Sequence, residues 1–376
     1  MIVGVPAEVK SDEYRVGLRP VGVELLRRDG HSVLVQSGAG RGSGYEDDDY
    51  RRAGASIVAG PERVWGEAGM VVKVKEPQPK EIGMMRKGQF VFTYFHFAAD
   101  KGLTVGCLES GAVAIVYETL EQPGPHGRAT LPLLTPMSEV AGKMSVQEGA
   151  KFLERPQGGR GILLGGVTGT PPANVLVLGG GVVGINAARM AAGLGANVIV
   201  TDINLDRLRY LDEVMPPNVH PTYSEPHAIR EAIKDADLVI GGVLISGAKA
   251  PHLISKSDLK TMMPGSVIVD VSIDQGGCVE TSRATTHKDP IYTVEGVIHY
   301  CVANIPGAVP RTSTQALTNA TLPWVLRIAE HGWEKLARED MGFAMAINMA
   351  NGSLFNKPVA DAHGLTAVKA PFATRG

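Results

Sequence analysis

The stretch "VLVLGGGVVGINAARM", residues 175–190, constrains the fold more than any other part of the chain. Alternating Val and Leu run into three glycines, and Gly184 follows. Such an order suits a buried strand that turns sharply into a helix. Gly179, Gly181 and Gly184 stand in G-x-G-x-x-G spacing. In that pattern the first glycine allows the tight turn, the second lets backbone approach a pyrophosphate, and the third lets helix pack on strand. The free N–H groups and positive dipole end of the helix then suit phosphate. Glycine-rich turns are common, so context decides. A second strand, "NVIVTD", ends in Asp202. An acidic group about 20 residues on suits the ribose hydroxyls of an adenosine and repels a 2′-phosphate. The expected cofactor is NAD rather than NADP.

At 376 residues the chain has room for two or more cores, since domains run roughly 100–200 residues. Its 37 Lys+Arg against 39 Asp+Glu leave no electrostatic footprint for nucleic acid or anionic lipid. Neither partner is expected. The start, "MIVGVPAEVK", lacks the basic flank and apolar run of a signal peptide. No apolar stretch approaches the ~20 residues of a membrane helix. Cys107, Cys278 and Cys301 lie far apart without C-x-x-C spacing. That argues against a disulfide framework and a zinc knuckle and suits free thiols in a reducing compartment. A soluble cytoplasmic protein is expected.

Strands and helices alternate along the first half. "MIVGVPAE", "SVLVQ", "GMVVKVKEP", "QFVFTYFHF", "TVGCL" and "AVAIVYE" read as strands. "RPVGVELLRRDGH" reads as a helix opened by Pro20 and stopped by Gly30. This alternation predicts an α/β fold with mostly parallel, doubly wound sheets. Residues 121–130, rich in Pro and Gly, read as a surface loop. "MSEVAGKMSVQEGAKFLE" has the spacing of a long helix, with Ser138 as its cap or the whole as a connector between lobes. "ANVIVTDIN", "ADLVIGGVL", "GSVIVDVSI" and "PIYTVEG" continue as strands. The segment from Pro310 reads as a helix that Pro323 should kink or interrupt. Two α/β lobes result.

Candidates for chemistry are few. Lys73 and Lys75 lie two apart on a strand and share a face. Lys73 reads as a solvated edge residue. Lys75 sits at the strand end, where parallel sheets bind ligands. His96 ends an apolar strand that holds four of the eight Phe. It reads either as a buried, satisfied imidazole or as a desolvated acid/base group. Arg15, with its neighbour Arg19, offers a guanidinium for a carboxylate; a surface charge is the plainer reading. Asp270 and Asp274 bracket a strand end, and Asp274, before Gly276 and Gly277, is the one placed to face a cofactor or simply to start a turn.

Together these residues resemble the NAD-dependent alanine dehydrogenases over nearly the whole chain. The matching stretches are "VPAEVKSDEYRVGLRP", "VKVKEPQP", "TYFHFAAD", "LLTPMSEVAGKMSVQ", "GGRGILLGG", "IDQGGCVE", "YCVANIPGAVPRTST" and "ALTNATLPW". The resemblance implies two Rossmann-like lobes: a discontinuous substrate domain, 1–136 with 308–376, and an NAD domain, 137–307. It also implies self-association, typically as a homohexamer. By motif, Arg15 in "EYRVG" would hold the substrate carboxylate and Lys75 in "VKVKEP" the carbonyl oxygen of pyruvate. His96 in "YFHFA" would be the general acid/base and Asp274 in "IDQGG" the second catalytic residue. For NAD the resemblance points to Ser138, Gly179, Gly181, Val182, Val183, Gly184, Asp202, Arg207, Ser224, Val243 and Leu244. It also points to Val271, Ser272, Ile273 and Asp274, to Arg283, and to Val302, Ala303, Asn304 and Ile305. Some members hold a divalent ion through a Glu and a His one helical turn apart. Here Arg327 stands four residues before His331, so no metal is expected.

The implied reaction is reversible oxidative deamination of L-alanine to pyruvate and ammonia. Lys75 would polarise the carbonyl, His96 would relay protons, and a closed cleft would keep bulk water out. The NAD-binding subunit of a transhydrogenase is the nearest rival. The Lys75/His96 pair and the "IDQGG" turn favour the dehydrogenase. A silent NAD-binding regulator would keep the glycine turn and lose these groups, and a 2-hydroxy-acid dehydrogenase uses a different architecture.

Overall fold

The computed structural model describes residues 1–124, 129–243 and 250–372. In chain order its strands are β1 (Ile2–Val5), β2 (Ser32–Gln36), β3 (Ser56–Val58), β4 (Met70–Val72), β5 (Phe90–Thr93), β6 (Val113–Val116), β7 (Gln122–Pro123) and β8 (Ala129–Thr130). They continue as β9 (Asn174–Leu178), β10 (Asn197–Asp202), β11 (Val219–Tyr223), β12 (Leu238–Gly241), β13 (Val267–Asp270), β14 (Ile291–Val294), β15 (Val297–Tyr300), β16 (Ile347–Ala350) and β17 (Ser353–Leu354). Two compact units form: Met1–Met137 with Val309–Gly376, and Ser138–Ala308.

The first unit holds an eight-stranded sheet ordered β17-β16-β6-β5-β4-β1-β2-β3. From β6 to β3 every neighbour is parallel. Strands buried on both faces need near-continuous apolar runs, and Val3, Val5, Val71, Val91, Phe92 and Ile115 are fully buried. Residues after the long C-terminal helix return to this sheet. There β16 lies antiparallel on β6 and β17 antiparallel on β16.

The second unit holds a seven-stranded sheet ordered β11-β10-β9-β12-β13-β15-β14. All neighbours are parallel except β14, which runs antiparallel beside β15. Numbered within each unit, the six parallel strands of both sheets stand in the order 3-2-1-4-5-6. That is the doubly wound dinucleotide-binding order, which binds ligands beyond the carboxyl ends of the strands where the order reverses. The reversal falls between β1 and β4 in the first unit and between β9 and β12 in the second.

Several local expectations change. "TVGCL" is helical, inside Lys101–Ser110. Asp100 caps that helix by accepting the N–H of Leu103, and Gly111 ends it in the left-handed region, so cap and stop override an apolar run. Pro323 lies inside an unbroken helix, Pro310–His331. The helix Thr135–Phe152 starts before Ser138, which sits in its first turn and is not its cap. Within the expected loop at 121–130, β7 and β8 form a short antiparallel ladder, and residues 125–128 lie outside the described ones.

Candidate active site

In the first unit, four neighbouring parallel strands each deliver a charged or titratable side chain just beyond their carboxyl ends. Glu8 follows β1, Lys73 and Lys75 follow β4, His96 follows β5, and Glu118 follows β6.

Lys73 corrects the sequence reading most sharply. It is fully buried, with Nζ 2.7 Å from Glu81 Oε1 and 3.2 Å from Glu8 Oε2. Burial pulls its pKa down, but the two carboxylates outweigh this and hold it above the ordinary lysine value. Burial likewise pushes the Glu8 carboxyl up, against the pull of Lys73. Glu8 also accepts the backbone N–H of Val74 at 2.7 Å and, less closely, that of Lys75 at 3.4 Å. The loop carrying Lys75 is therefore tied to the end of β1. Thr93 Oγ1 donates to the carbonyl of Lys75 at 2.9 Å, which ties the same loop to β5. Lys75 itself is buried.

Arg15 is buried too, not a surface charge. Its Nε donates to Glu13 Oε1 at 2.6 Å, its Nη2 to Glu13 Oε2, and its Nη1 to the Met137 sulfur at 3.0 Å. Burial alone would lower its pKa; the Glu13 carboxylate more than offsets that. Arg15 also lies within electrostatic reach of Tyr94 and Glu8, at the strand ends that carry Lys75 and His96. Arg19 instead reaches Thr318 Oγ1 at 2.6 Å and Asn319 Oδ1 on the C-terminal helix.

His96 is neither buried nor part of its strand. β5 ends at Thr93, and the imidazole is 42% exposed. Its backbone is left-handed, φ 53° and ψ 39°. For a non-glycine residue that costs on the order of 1–3 kcal/mol and persists only where surroundings fix it. The ring lies nearly parallel to that of Tyr94, with centroids 5.8 Å apart. Burial pushes the Tyr94 hydroxyl far up, and it donates to the Leu133 carbonyl.

In the second unit, the glycine turn fits a dinucleotide by a direct steric criterion. A Cβ at Gly184 would stand 1.8 Å from the Gly179 carbonyl oxygen, so only glycine packs there. Gly179 has φ +93° and approaches the Gly242 carbonyl across the strand-order reversal. A Cβ at Gly181 would meet nothing within 4 Å, so this turn is open where phosphate would lie. Gly181 caps the helix Val182–Gly193, whose first turn holds an exposed Val182 and a half-buried Val183. Asp202 Oδ2 accepts the N–H of Gly180 at 2.9 Å, and Oδ1 that of Asn204 at 2.8 Å. Arg207 donates to the carbonyls of Gly180 and Gly181; burial draws its pKa down. The Ser224 N–H bonds the Asp202 carbonyl at 3.0 Å.

The other expected cofactor residues follow β12, β13 and β15. Ser272 Oγ donates to the Val243 carbonyl at 2.8 Å. Leu244 lies outside the described residues. Asp270 is a buried hub: it accepts from the N–H groups of Ser272 and Cys278 and from Ser282 Oγ at 2.6 Å. Asp274 stands exposed on the turn Val271–Gln275, with Ile273 buried beneath it. Arg283 lies over the Tyr292 ring, 4.0 Å from its centroid. Val302 is buried, the Ala303 N–H bonds the Thr285 carbonyl, and Ile305 begins a short turn. Asn304 is left-handed, φ 67°, and its carbonyl meets His287 Nε2 at 3.2 Å.

Sequence reasoning missed Glu8, Glu13 and Glu118. The available signal was an acid two or three residues past a buried parallel strand, as with Glu8 and Glu118. At the position weighed for a metal, Arg327 pairs with Asp340 at 3.1 Å and lies over Trp324. Among the described residues no three His, Cys, Asp or Glu converge on a metal position.

Residues 4–141 match the alanine dehydrogenase/PNT N-terminal domain and residues 145–357 the alanine dehydrogenase/PNT C-terminal domain. An alanine dehydrogenase from Halomonas elongata is 52% identical over 370 residues, 98% of this chain and 99% of that protein. A solved L-alanine dehydrogenase superposes with a TM-score of 0.92 at 49% identity, covering 97% of this chain and 99% of the other. A transhydrogenase from Sinorhizobium meliloti shares the fold, with a TM-score of 0.81 at 24% identity, over 94% and 100% of the two chains. The chain belongs to the alanine dehydrogenase/PNT family, on the alanine dehydrogenase side of it.

Proposed function

We propose that this chain is an NAD-dependent L-alanine dehydrogenase that interconverts L-alanine with pyruvate and ammonia. The observation that carries the reading is the row Glu8, Lys75, His96 and Glu118 at the ends of four adjacent strands, in a chain that also has a dinucleotide turn. The first unit is assigned to substrate and the second to NAD. Asp202, already oriented by Gly180, is assigned to the adenosine ribose, which favours NAD over NADP. Arg207, Ser224, Arg283 and Asn304 are assigned to the remainder of the nucleotide.

NAD, when bound, supplies the acceptor for the hydride that leaves the alanine Cα. The protein does the rest. Arg15 is assigned to the substrate carboxylate, with its guanidinium oriented by Glu13. The Lys75 ammonium donates to the oxygen that develops as water adds to the imine and as the carbinolamine collapses. His96 takes the proton of that water on a ring nitrogen and returns one to the departing amine. Asp274 is assigned as the second proton carrier. Resemblance further supports a cytoplasmic homohexamer without nucleic-acid or membrane partners. Among the described residues no helix is long and apolar enough to cross a membrane.

The test is NADH absorbance with L-alanine as donor, run with NAD and with NADP, alongside light scattering for the assembly. NADH formation with NAD far ahead of NADP is expected. Hydride exchange between nucleotides with no use of alanine would move the chain to the transhydrogenase side.

A further inference from the structure

The left-handed turn that carries His96 is held by a side chain from the next strand. Glu118 lies in the turn Tyr117–Thr119, directly after β6. Its Oε1 accepts the backbone N–H of His96 at 2.6 Å and that of Phe95 at 3.1 Å, and Oε2 makes a longer bond to Phe95 at 3.3 Å. The same Oε1 stands 4.0 Å from His96 Nδ1. The carboxylate is 17% exposed, whereas the imidazole above it is 42% exposed. Glu118 is thus turned inward onto backbone while His96 is turned outward. Tyr94 covers one face of the ring, and the Ala99 N–H closes the turn on the His96 carbonyl at 2.9 Å, while the Glu118 bonds hold the N–H side of the same turn, where the imidazole leaves the chain.

We propose that Glu118 is a positioning residue for the reaction: by accepting the N–H groups of Phe95 and His96 it fixes the left-handed turn and so the place of the imidazole, without touching substrate itself. This rests on the reading of His96 as the proton carrier. A side chain that only stabilised the fold would change melting and the yield of active protein. A positioning residue changes turnover per site, because misplacing a catalytic group by about 1 Å costs on the order of 10²-fold.

The experiment compares Glu118→Ala, Glu118→Gln and His96→Ala in the full-length enzyme. Glu118→Ala is expected to lower kcat on the order of 10- to 100-fold, with KM for pyruvate and Kd for NADH within about threefold. A crystal structure of that variant should show residue 96 out of the left-handed region. Glu118→Gln keeps an oxygen at the Oε1 position, so it should retain at least roughly a third of kcat. Two results overturn the proposal: Glu118→Ala turning over within about threefold of the parent, or Glu118→Gln falling as far as Glu118→Ala. The second would make charge, not turn geometry, the cause. Should Glu118→Ala fail to fold, Glu118→Asp replaces it. Its shorter side chain cannot span both N–H groups, and a kcat equal to that of Glu118→Gln would overturn the proposal equally. Normal turnover in His96→Ala would instead remove the reading of His96, whatever Glu118 does to the turn.

Discussion

Replacing Lys73 by alanine should destabilise the first unit severely, and the deficit should shrink as pH falls. Lys73 is fully buried between Glu8 and Glu81, each 3% exposed. Without it, two carboxylates share a dry site with no cation between them. Breaking a buried pair by removing one partner costs about 3–5 kcal/mol. For a domain of roughly 150–250 residues each kcal/mol moves Tm by about 2–4 °C, so a drop of ~6–20 °C is expected. The pH dependence follows from Glu8, whose carboxyl burial already raises against the pull of Lys73. In the variant that pull is gone and the folded pKa rises further above the unfolded one. A group raised in this way holds more protons folded than unfolded, so stability grows as pH falls and is lost as pH rises through the folded value. In the parent, Lys73 is raised above an already alkaline pKa, so its contribution stays constant from about pH 5 to 8. Melting followed by circular dichroism at fixed protein concentration should therefore show the largest gap near pH 8 and a smaller one near pH 5. A variant that melts within ~2 °C of the parent, or a gap that widens toward acid, would refute the reasoning.

Three further outcomes are expected. Arg15→Ala should raise KM for pyruvate by the ~1.5–3 kcal/mol of a charge-assisted contact and also lower Tm, because Glu13, 0% exposed, loses its guanidinium partner. The double variant with Glu13→Gln should recover Tm and not KM; recovery of both would show Arg15 to be structural. His96→Ala should cut kcat on the order of 10²–10⁴, while a side chain 42% exposed leaves Tm within ~2 °C; a normal kcat in single-turnover measurements would contradict its role. Asp202→Gly should erode the preference in kcat/KM for NAD over NADP, and an unchanged ratio would place the discrimination elsewhere.

The glycine turn was legible in sequence because its chemistry is local: strand, three glycines, helix and a later acid are all fixed by spacing. The residues that set the other half of the site were not. Lys73 reads as an edge lysine until β1 and the helix Pro79–Ile82 bring Glu8 and Glu81 to it. These are contacts no spacing within "VVKVKEP" encodes. His96 stands exposed on a left-handed turn after β5, and its N–H is accepted by Glu118 from the turn after β6, a contact that the apolar run around His96 does not encode. "TVGCL" was the opposite case. Asp100 and Gly111 stand in the sequence as cap and stop, and these local signals prevail over the apolar run. β16 went unread because it completes the sheet from the far end of the chain, beside β6.

The most direct measurement of the proposed activity follows the hydride itself. L-Alanine deuterated at Cα is incubated with the enzyme and NAD, and both products are analysed by mass spectrometry. The account predicts one deuterium in each NADH and one pyruvate for each NADH formed. NADH without deuterium, or deuterium transfer without matching pyruvate, would contradict it.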